Sequence, residues 1–598
     1  MDFNKLSPEQ QQFCNTALSG KNVRVEACIG SGKTTAIQAL CDLFPKNKLI
    51  LYLTYNKLLK IDAKSKIKNP NVVVTNYHGF VYPYLVRNGI QCGLSDSIRI
   101  FTENKLSIPR FDTIIIDEYQ DIELDFAEML EYVKSTNPNM QIIMVGDMAQ
   151  KIYDKTTLDV SSWSEKFLGK HTELEFTQCF RLQPQLAAKL GRIWGKTIVG
   201  VNKNCTVTTM TKNNVISFLK KQNPSDVLCL GAKTGTMTDT LNTLEMEAPF
   251  KYNKKTVYAT IKTSEARVEP TGDAAIFTTF DSSKGLEKPI CIVFDWDEAY
   301  WKARQSQPYT NSSILRNIFC VAASRGKQQI IFVENRRYGK SIPLLSEKTL
   351  KETKSTKPLT DVDTSTMFDF KYVEDVAAAY RMIDITKINS SESVIEMKEK
   401  DELIDLSPCI QEYQKLIFFK NYQIDTKLDY AFRQKGRTIP DLSLFTTDEK
   451  LLTYVSLITN QNRYYNQVKL PLMTPKQHNL LVDRLSEKLS HDEKVLVENS
   501  IKLFDITVHG IADVIRSDAV WQLEYTSTLR PESHLRAAMN AILFGKPYCI
   551  LWNTRNNEMY RVSVDSKKRN AFLQQVYKTT TKGRKALPTN NAISLTHC

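Results

Sequence analysis

Residues 27–35, AlaCysIleGlySerGlyLysThrThr, place two glycines, a lysine and three hydroxyl side chains at the spacing of a loop that wraps a nucleoside triphosphate. Gly30 and Gly32 free the backbone to turn its amide groups toward phosphate oxygens, with Ser31 and Thr35 beside them. Lys33 is placed to reach the β- and γ-phosphates and Thr34 to meet Mg²⁺. The strict pattern begins with glycine, and Ala27 stands there instead. A tight structural turn is the bland reading, but an apolar strand runs in (Val23, Val25) and a helical stretch runs out to Phe44, as a phosphate loop requires.

A second group of chemistry-bearing residues follows the apolar run ThrIleIleIle. In AspGluTyrGlnAsp (117–121), Asp117 can hold Mg²⁺ through water and Glu118 can orient or deprotonate an attacking water. Further on, ValGlyAspMetAlaGlnLysIleTyr (145–153) puts Gln150 where an amide could sense the γ-phosphate. Read alone, Asp117 and Glu118 could equally be an exposed acidic turn.

These residues need a scaffold. Short β-branched runs recur at 48–54, 71–75, 113–118, 141–146, 226–231, 274–279, 290–295 and 329–334, with helical patterns between them. Runs apolar on both faces predict parallel sheets covered by helices, and there are enough for two. The expected division is a first domain over 1–157, with a minimal insert near 80–110, and a second over 158–345. The polar stretch 346–370 reads as a linker, and a separate α/β domain is expected over 371–590. That last domain shows helical stretches at 372–384 and 406–419, strands near 503–515, 519–526 and 547–552, and a helix at 532–544.

At 598 residues, with 42% hydrophobic and 10% aromatic side chains, the chain can build about three or four domains of ordinary size. The net charge of +14 favours a polyanionic partner. From Arg561 onward eight Lys/Arg face one acid, Asp565, which suits either a solvated tail or a nucleic-acid contact. No apolar run approaches a membrane span, and the start lacks a secretion signal, so a soluble, intracellular protein is expected. The twelve cysteines form no CxxC pair and are expected to be reduced core thiols.

Over about residues 6–340 the chain resembles the superfamily 1A helicases of the UvrD/Rep/PcrA kind, with eight motifs in order. LeuSerProGluGln (6–10) is similar to the adenine-reading segment, TyrAsnLys (55–57) to the aromatic-Asn-Lys segment, and AsnTyrHisGly (76–79) to ThrPheHisGly. GlnCysPheArg (178–181), ThrPheAspSerSerLysGlyLeuGlu (279–287) and ValAlaAlaSerArgGly (321–326) continue the series. The resemblance implies two RecA-like domains around an ATP site. Gln10 would read adenine, Phe180 would stack on it, and Arg181 and Arg325 would meet the γ-phosphate. Gly285 would serve the phosphate and Glu287 the ribose. Tyr55, Tyr77, His78 and Tyr153 become candidates for the nucleic-acid face, where rings stack on unpaired bases. The implied activity is ATP-driven, 3′-to-5′ movement on single-stranded DNA in replication, repair or recombination, with protein partners there; RNA is the lesser alternative. Both large accessory insertions of that family are missing, so translocation is the safer expectation than processive unwinding. Ala27 agrees with the superfamily 1A loop, whereas Asn76 and Asp281 depart from Thr and His and put individual strand contacts in doubt.

Residues of about 405–565 resemble RecB-type PD-(D/E)xK nucleases, whose fold is restriction-endonuclease-like. HisGlyIleAlaAspValIle (509–515) and TrpGlnLeuGluTyrThr (521–526) would bring Asp513 and Glu524 to a second divalent-metal site, with Glu498 as an acid on a preceding helix. Thr526 replaces the motif lysine, and His534 and Ala538 replace a Gln and a Tyr. An inactive nuclease-like DNA-binding domain is therefore favoured over a helicase–nuclease. An ATP-gated nucleic-acid clamp is the remaining alternative.

Overall fold

The computed structural model describes residues 3–585, except 56, 94–95, 233–234, 254, 260–272, 306, 309, 335–358, 390–393, 397–405, 435, 460–467 and 469. The expected linker lies mostly outside the described residues, as do Asn56 and the last thirteen residues.

The first sheet contains β1 (Val23–Ala27), β2 (Ile50–Thr54), β3 (Val72–Asn76), β4 (Thr113–Asp117), β5 (Gln141–Gly146) and β6 (Thr172–Phe176), all parallel, in the order β3-β2-β4-β5-β1-β6. β2, β4 and β5 are buried along their whole length, which their unbroken apolar runs dictate. Parallel strands share one carboxyl edge, so the loops after β1, β4 and β5 converge there.

A two-stranded parallel pair, β7 (Gln178–Cys179) and β8 (Val199–Gly200), leads into the second sheet. That sheet holds β9 (Thr206–Thr211), β10 (Val227–Gly231), β11 (Val257–Ala259), β12 (Ala275–Thr279), β13 (Lys288–Val293) and β14 (Gly326–Glu334), again all parallel, in the order β11-β12-β10-β13-β14-β9.

The third sheet is mixed: β15 (Asp361–Asp363), β16 (Asp384–Lys387), β17 (Val495–Leu503), β18 (Ile506–Ile515), β19 (Ala519–Glu524), β20 (Tyr548–Asn553) and β21 (Glu558–Ser563), ordered β15-β18-β19-β20-β21-β16 with β17 on β18. The helix Pro531–Leu543 provides the crossover that the parallel β19–β20 pair needs.

Two boundaries differ from expectation. β6 completes the first sheet, so that sheet extends past residue 157; its sequence, ThrGluLeuGluPhe, alternates charge with apolar groups because it is an edge strand with one wet face. β15 and the buried Met367 and Phe368 belong to the third domain, so its structure begins inside the stretch read as linker.

The domains are packed together. Cys28 and Ile29 of the phosphate loop share an apolar cluster with Cys179, Leu186, Phe319 and Phe332 on the second-domain side. Side chains of the second sheet and of the helices Ser407–Phe418 and Pro475–Ser486 join another. The third domain also reaches the first through polar bonds. Val373 N–H donates to the Lys155 carbonyl at 2.8 Å, and Lys582 Nζ meets Asp154 at 3.0 Å.

Lys578 and Lys585 pair with Asp375 and Asp505. The basic C-terminal segment is thus partly an internal tie rather than a solvated tail. Among the described residues no helix is long and apolar enough to cross a membrane, and the described cysteines are free, all but Cys92 buried.

Candidate functional site: a cleft between two parallel sheets

The phosphate loop follows β1, and the helix Lys33–Leu43 begins directly after it. Gly30 and Gly32 adopt positive φ of 68° and 75°. A Cβ on Gly30 would stand 2.8 Å from Arg181 Cβ, and one on Gly32 2.7 Å from Gln10 Nε2, so close approach as well as conformation requires glycine at both. Ile29 is almost fully buried, worth about 1.5–3 kcal/mol for a side chain of its size, and this anchors the loop on the second-domain core.

Gln10 braces the loop. Its Nε2 donates to the Ser31 carbonyl at 2.9 Å while Oε1 accepts from Ser7 N–H at 3.0 Å in a capping box. Phe180 lies beside Gly32, its N–H bonded to the Gly30 carbonyl at 2.9 Å, and its ring remains 43% exposed. Thr34 is half-buried and Thr35 exposed at the start of the helix.

Asp117 ends β4 and Glu118 follows with a positive φ of 55°. Lys33 Nζ stands 3.7 Å from Glu118 Oε1, and Tyr52 OH donates to Asp117 Oδ2 at 3.1 Å. Burial favours the protonated form of both carboxyls. Asp117, which also feels the Glu118 charge, is pushed up, whereas Lys33 and Lys284 pull Glu118 down.

Gln150 Nε2 donates to Asp147 Oδ2 at 2.7 Å and to the Ala27 carbonyl at 3.4 Å, which ties the segment after β5 to the loop.

The opposite wall brings basic groups. Arg181 bonds Glu287, which also takes Lys327 at 2.5 Å. Glu287 is therefore engaged by two cations. Arg325 is buried; its Nε donates to the Val321 carbonyl at 2.8 Å, yet its Nη2 has no partner. Burial, then the neighbouring Arg181 charge, lowers its pKa to about 9. Ser31 Oγ and Asp117 Oδ1 are likewise buried without partners. Acceptor oxygens near Lys33 and an unpaired guanidinium N–H match what a Mg²⁺-bound triphosphate would satisfy, with Thr34 and Asp117 as the groups to hold the ion. Gly285 has a positive φ of 78°.

One residue escaped the sequence reading. Lys284, in the second domain, pairs with Asp121, stands 3.7 Å from Glu118 Oε2, and donates to the Gln150 carbonyl at 3.3 Å. Its Nζ also lies 6.0 Å above the Tyr55 ring. The LysGly pair within 279–287 was the available signal.

The expected nucleic-acid residues separate. Tyr55 and Tyr153 are half-buried and stacked, with centroids 6.4 Å apart and planes at 20°. Tyr77 is a correction: it is 2% exposed and stacked on Phe126 at 4.3 Å, because it opens the helix Tyr77–Arg87 on the face that packs into the first domain's core. His78 is half-buried, bonded through Nδ1 to Ser97 Oγ at 3.2 Å, and burial lowers its pKa. The two departures from the family pattern have local partners. Asn76 caps the helix by accepting from Gly79 N–H at 2.9 Å, and Asp281 takes a bidentate Arg304 at 3.0 and 3.1 Å.

In the third domain Asp513 and Glu524 sit on the adjacent strands β18 and β19, both largely buried. Asp513 Oδ1 pairs with Lys415 Nζ at 2.7 Å and Glu524 with Arg536. Glu498 is on β17, exposed and opposite Ile511, not on a helix. The helix-borne acid of this group is Glu412, 3.4 Å from the same Lys415. His534 bonds the Arg530 carbonyl and packs on Tyr380 and Tyr560 as a core ring.

Residues 10–156 match a family model described as an AAA domain. No curated protein matches the chain. Among solved structures it is similar to an arterivirus nonstructural protein 10 helicase in complex with DNA (13% identity, TM-score 0.31, 56% of this chain and 65% of that one). It is also similar to S. cerevisiae Dbp5 bound to RNA and ADP BeF3 (14%, 0.34, 58% and 93%) and to Pif1 helicase at forked duplex DNA (12%, 0.30, 58% and 94%). The chain thus spans just under two thirds of the arterivirus protein.

Proposed function

We propose that the protein is an ATP-driven translocase on single-stranded nucleic acid, DNA in preference to RNA, with 3′-to-5′ movement taken from the superfamily 1A resemblance. The observation that carries the reading is the pair of half-sites across the cleft: Lys33 and Glu118 on the first-sheet side, with Arg181 against the phosphate loop and Arg325 within electrostatic reach of Glu118 from the other side. The AAA-domain match over the first domain supports nucleotide use.

Lys33 and the loop amides hold the phosphates, and Mg²⁺ held by Thr34 and Asp117 would supply charge neutralisation when bound. Glu118, kept ionised by Lys33 and Lys284, accepts a proton from the attacking water. Arg325 and Arg181 turn from their present partners to the γ-phosphate, which draws the two sheets together. Phe180 offers a ring to the adenine. Lys284 carries the closure to Tyr55 and Tyr153, where bases stack without demanding sequence. The third domain binds nucleic acid without cutting it, and the whole serves replication, repair or recombination.

Strand displacement from duplexes with 3′ or 5′ tails, with wild type and Lys33→Ala, tests this. Displacement from 3′-tailed substrates that needs ATP and Lys33 is expected. Hydrolysis with no displacement, and no removal of a protein roadblock from a single strand, would favour an ATP-gated clamp.

A further inference from the structure

The third domain contains three largely buried carboxylates, Glu412 and Asp513, which share Lys415, and Glu524 on the strand beside that of Asp513, with three cations among them. Buried carboxylates require positive charge, and a divalent ion is one way to supply it.

The chain supplies it otherwise. Lys415 Nζ lies 2.7 Å from Asp513 Oδ1 and 3.4 Å from Glu412 Oε1. Asp513 Oδ2 accepts from Leu523 N–H at 2.8 Å. Glu412 is completed by Tyr422 OH and by Lys427 at 3.3 Å. Glu524 takes Gln522 Nε2 at 2.8 Å and Arg536. No carboxylate oxygen of the three is among the buried atoms without a partner. Those nearby are donors, Arg536 Nε and Gln414 Nε2, and one amide oxygen, that of Asn540. Two of these three atoms are donors, which repel a metal ion, and the carboxylates already hold their cations, so the ligand set does not fit one.

We propose that the Lys415 ammonium is the resident cation of this cluster, standing where a divalent ion would bridge Glu412 and Asp513, so that the wild-type third domain takes no catalytic metal. The lysine absent at Thr526 is thus not replaced by a nearby working base; Lys415 neutralises the very carboxylate that a metal would need. The arrangement does not depend on whether the first two domains move on a strand.

Mn²⁺ binding to the full chain without nucleotide, read by electron paramagnetic resonance of the free ion and by thermal unfolding, is the test. Wild type and Asp513→Asn should bind the same number of ions. Lys415→Met uncovers Asp513 and should bind one more ion, at least tenfold more tightly than any wild-type site in that domain, with a rise in its melting temperature on adding Mn²⁺. The double variant Lys415→Met/Asp513→Asn should return to wild-type binding. An ion bound by wild type and lost in Asp513→Asn overturns the proposal, as does a folded Lys415→Met that gains none. If Lys415→Met alone does not fold, the wild-type and Asp513→Asn pair still decides.

Discussion

The cleft and the third-domain cluster are both crowded with buried charge, and they differ in what is left over. In the cleft Arg325 Nη2, Asp117 Oδ1 and Ser31 Oγ have no partner, and Arg325 is held at a pKa of about 9. In the cluster every carboxylate has its cation or N–H, and what is left over is two donors, Arg536 Nε and Gln414 Nε2, and the Asn540 amide oxygen. Unpaired buried groups are costly, roughly 1–3 kcal/mol each, and those in the cleft are ones that a triphosphate would complete. Self-satisfied charge costs less to keep and binds nothing. On the proposed function, the difference separates a site completed by a ligand from carboxylates held by the chain's own cations.

The largest effect should come from the unpaired guanidinium. Arg325→Ala is expected to lower kcat for ATP hydrolysis by about 10³-fold, with nucleotide affinity little changed, by single-turnover phosphate release. Loss of affinity in proportion would instead make Arg325 a binding group. Next is Phe180→Ala, which should raise KM for ATP about tenfold through lost stacking, roughly 1–2 kcal/mol, without a matching fall in kcat. Lys284→Ala should lower basal turnover by about tenfold, because its ammonium stands 3.7 Å from Glu118, and should also remove most of the stimulation by single strands, because the same group holds Asp121 and the Gln150 carbonyl. Unchanged stimulation would place the coupling elsewhere.

The smallest effect belongs to the third domain. Burial lowers the His534 pKa, so the folded state resists a proton that the unfolded chain accepts. Stability should fall as pH drops below the ordinary histidine value, and His534→Gln should flatten that slope in urea unfolding followed between pH 7 and pH 5. A slope unchanged by the substitution would mean that other groups set the acid sensitivity.

Much of this was legible in the sequence, and the reason is local. Phosphate loops, buried parallel strands and strand-end carboxylates are written in contiguous residues, so β4 with Asp117 and Glu118 could be read from ThrIleIleIleAspGlu. Two of the edge strands could not: β6 and β9 alternate or carry threonines, because half of each faces water, whereas the edge strand β3 has the contiguous valines that mark it. Tyr77 looked like a base-stacking ring, since nothing in AsnTyrHisGly tells which side of the helix meets Phe126. Glu412 and Lys415 were invisible as partners of Asp513 because some hundred residues separate them, and only the packing of the helix Ser407–Phe418 on the third sheet's end unites them.

ATP hydrolysis by the purified full chain, with and without single-stranded DNA, bears most directly on the central claim. Turnover stimulated at least tenfold by the strand and abolished by Lys33→Ala is expected. Turnover indifferent to the strand, or surviving Lys33→Ala, would contradict it.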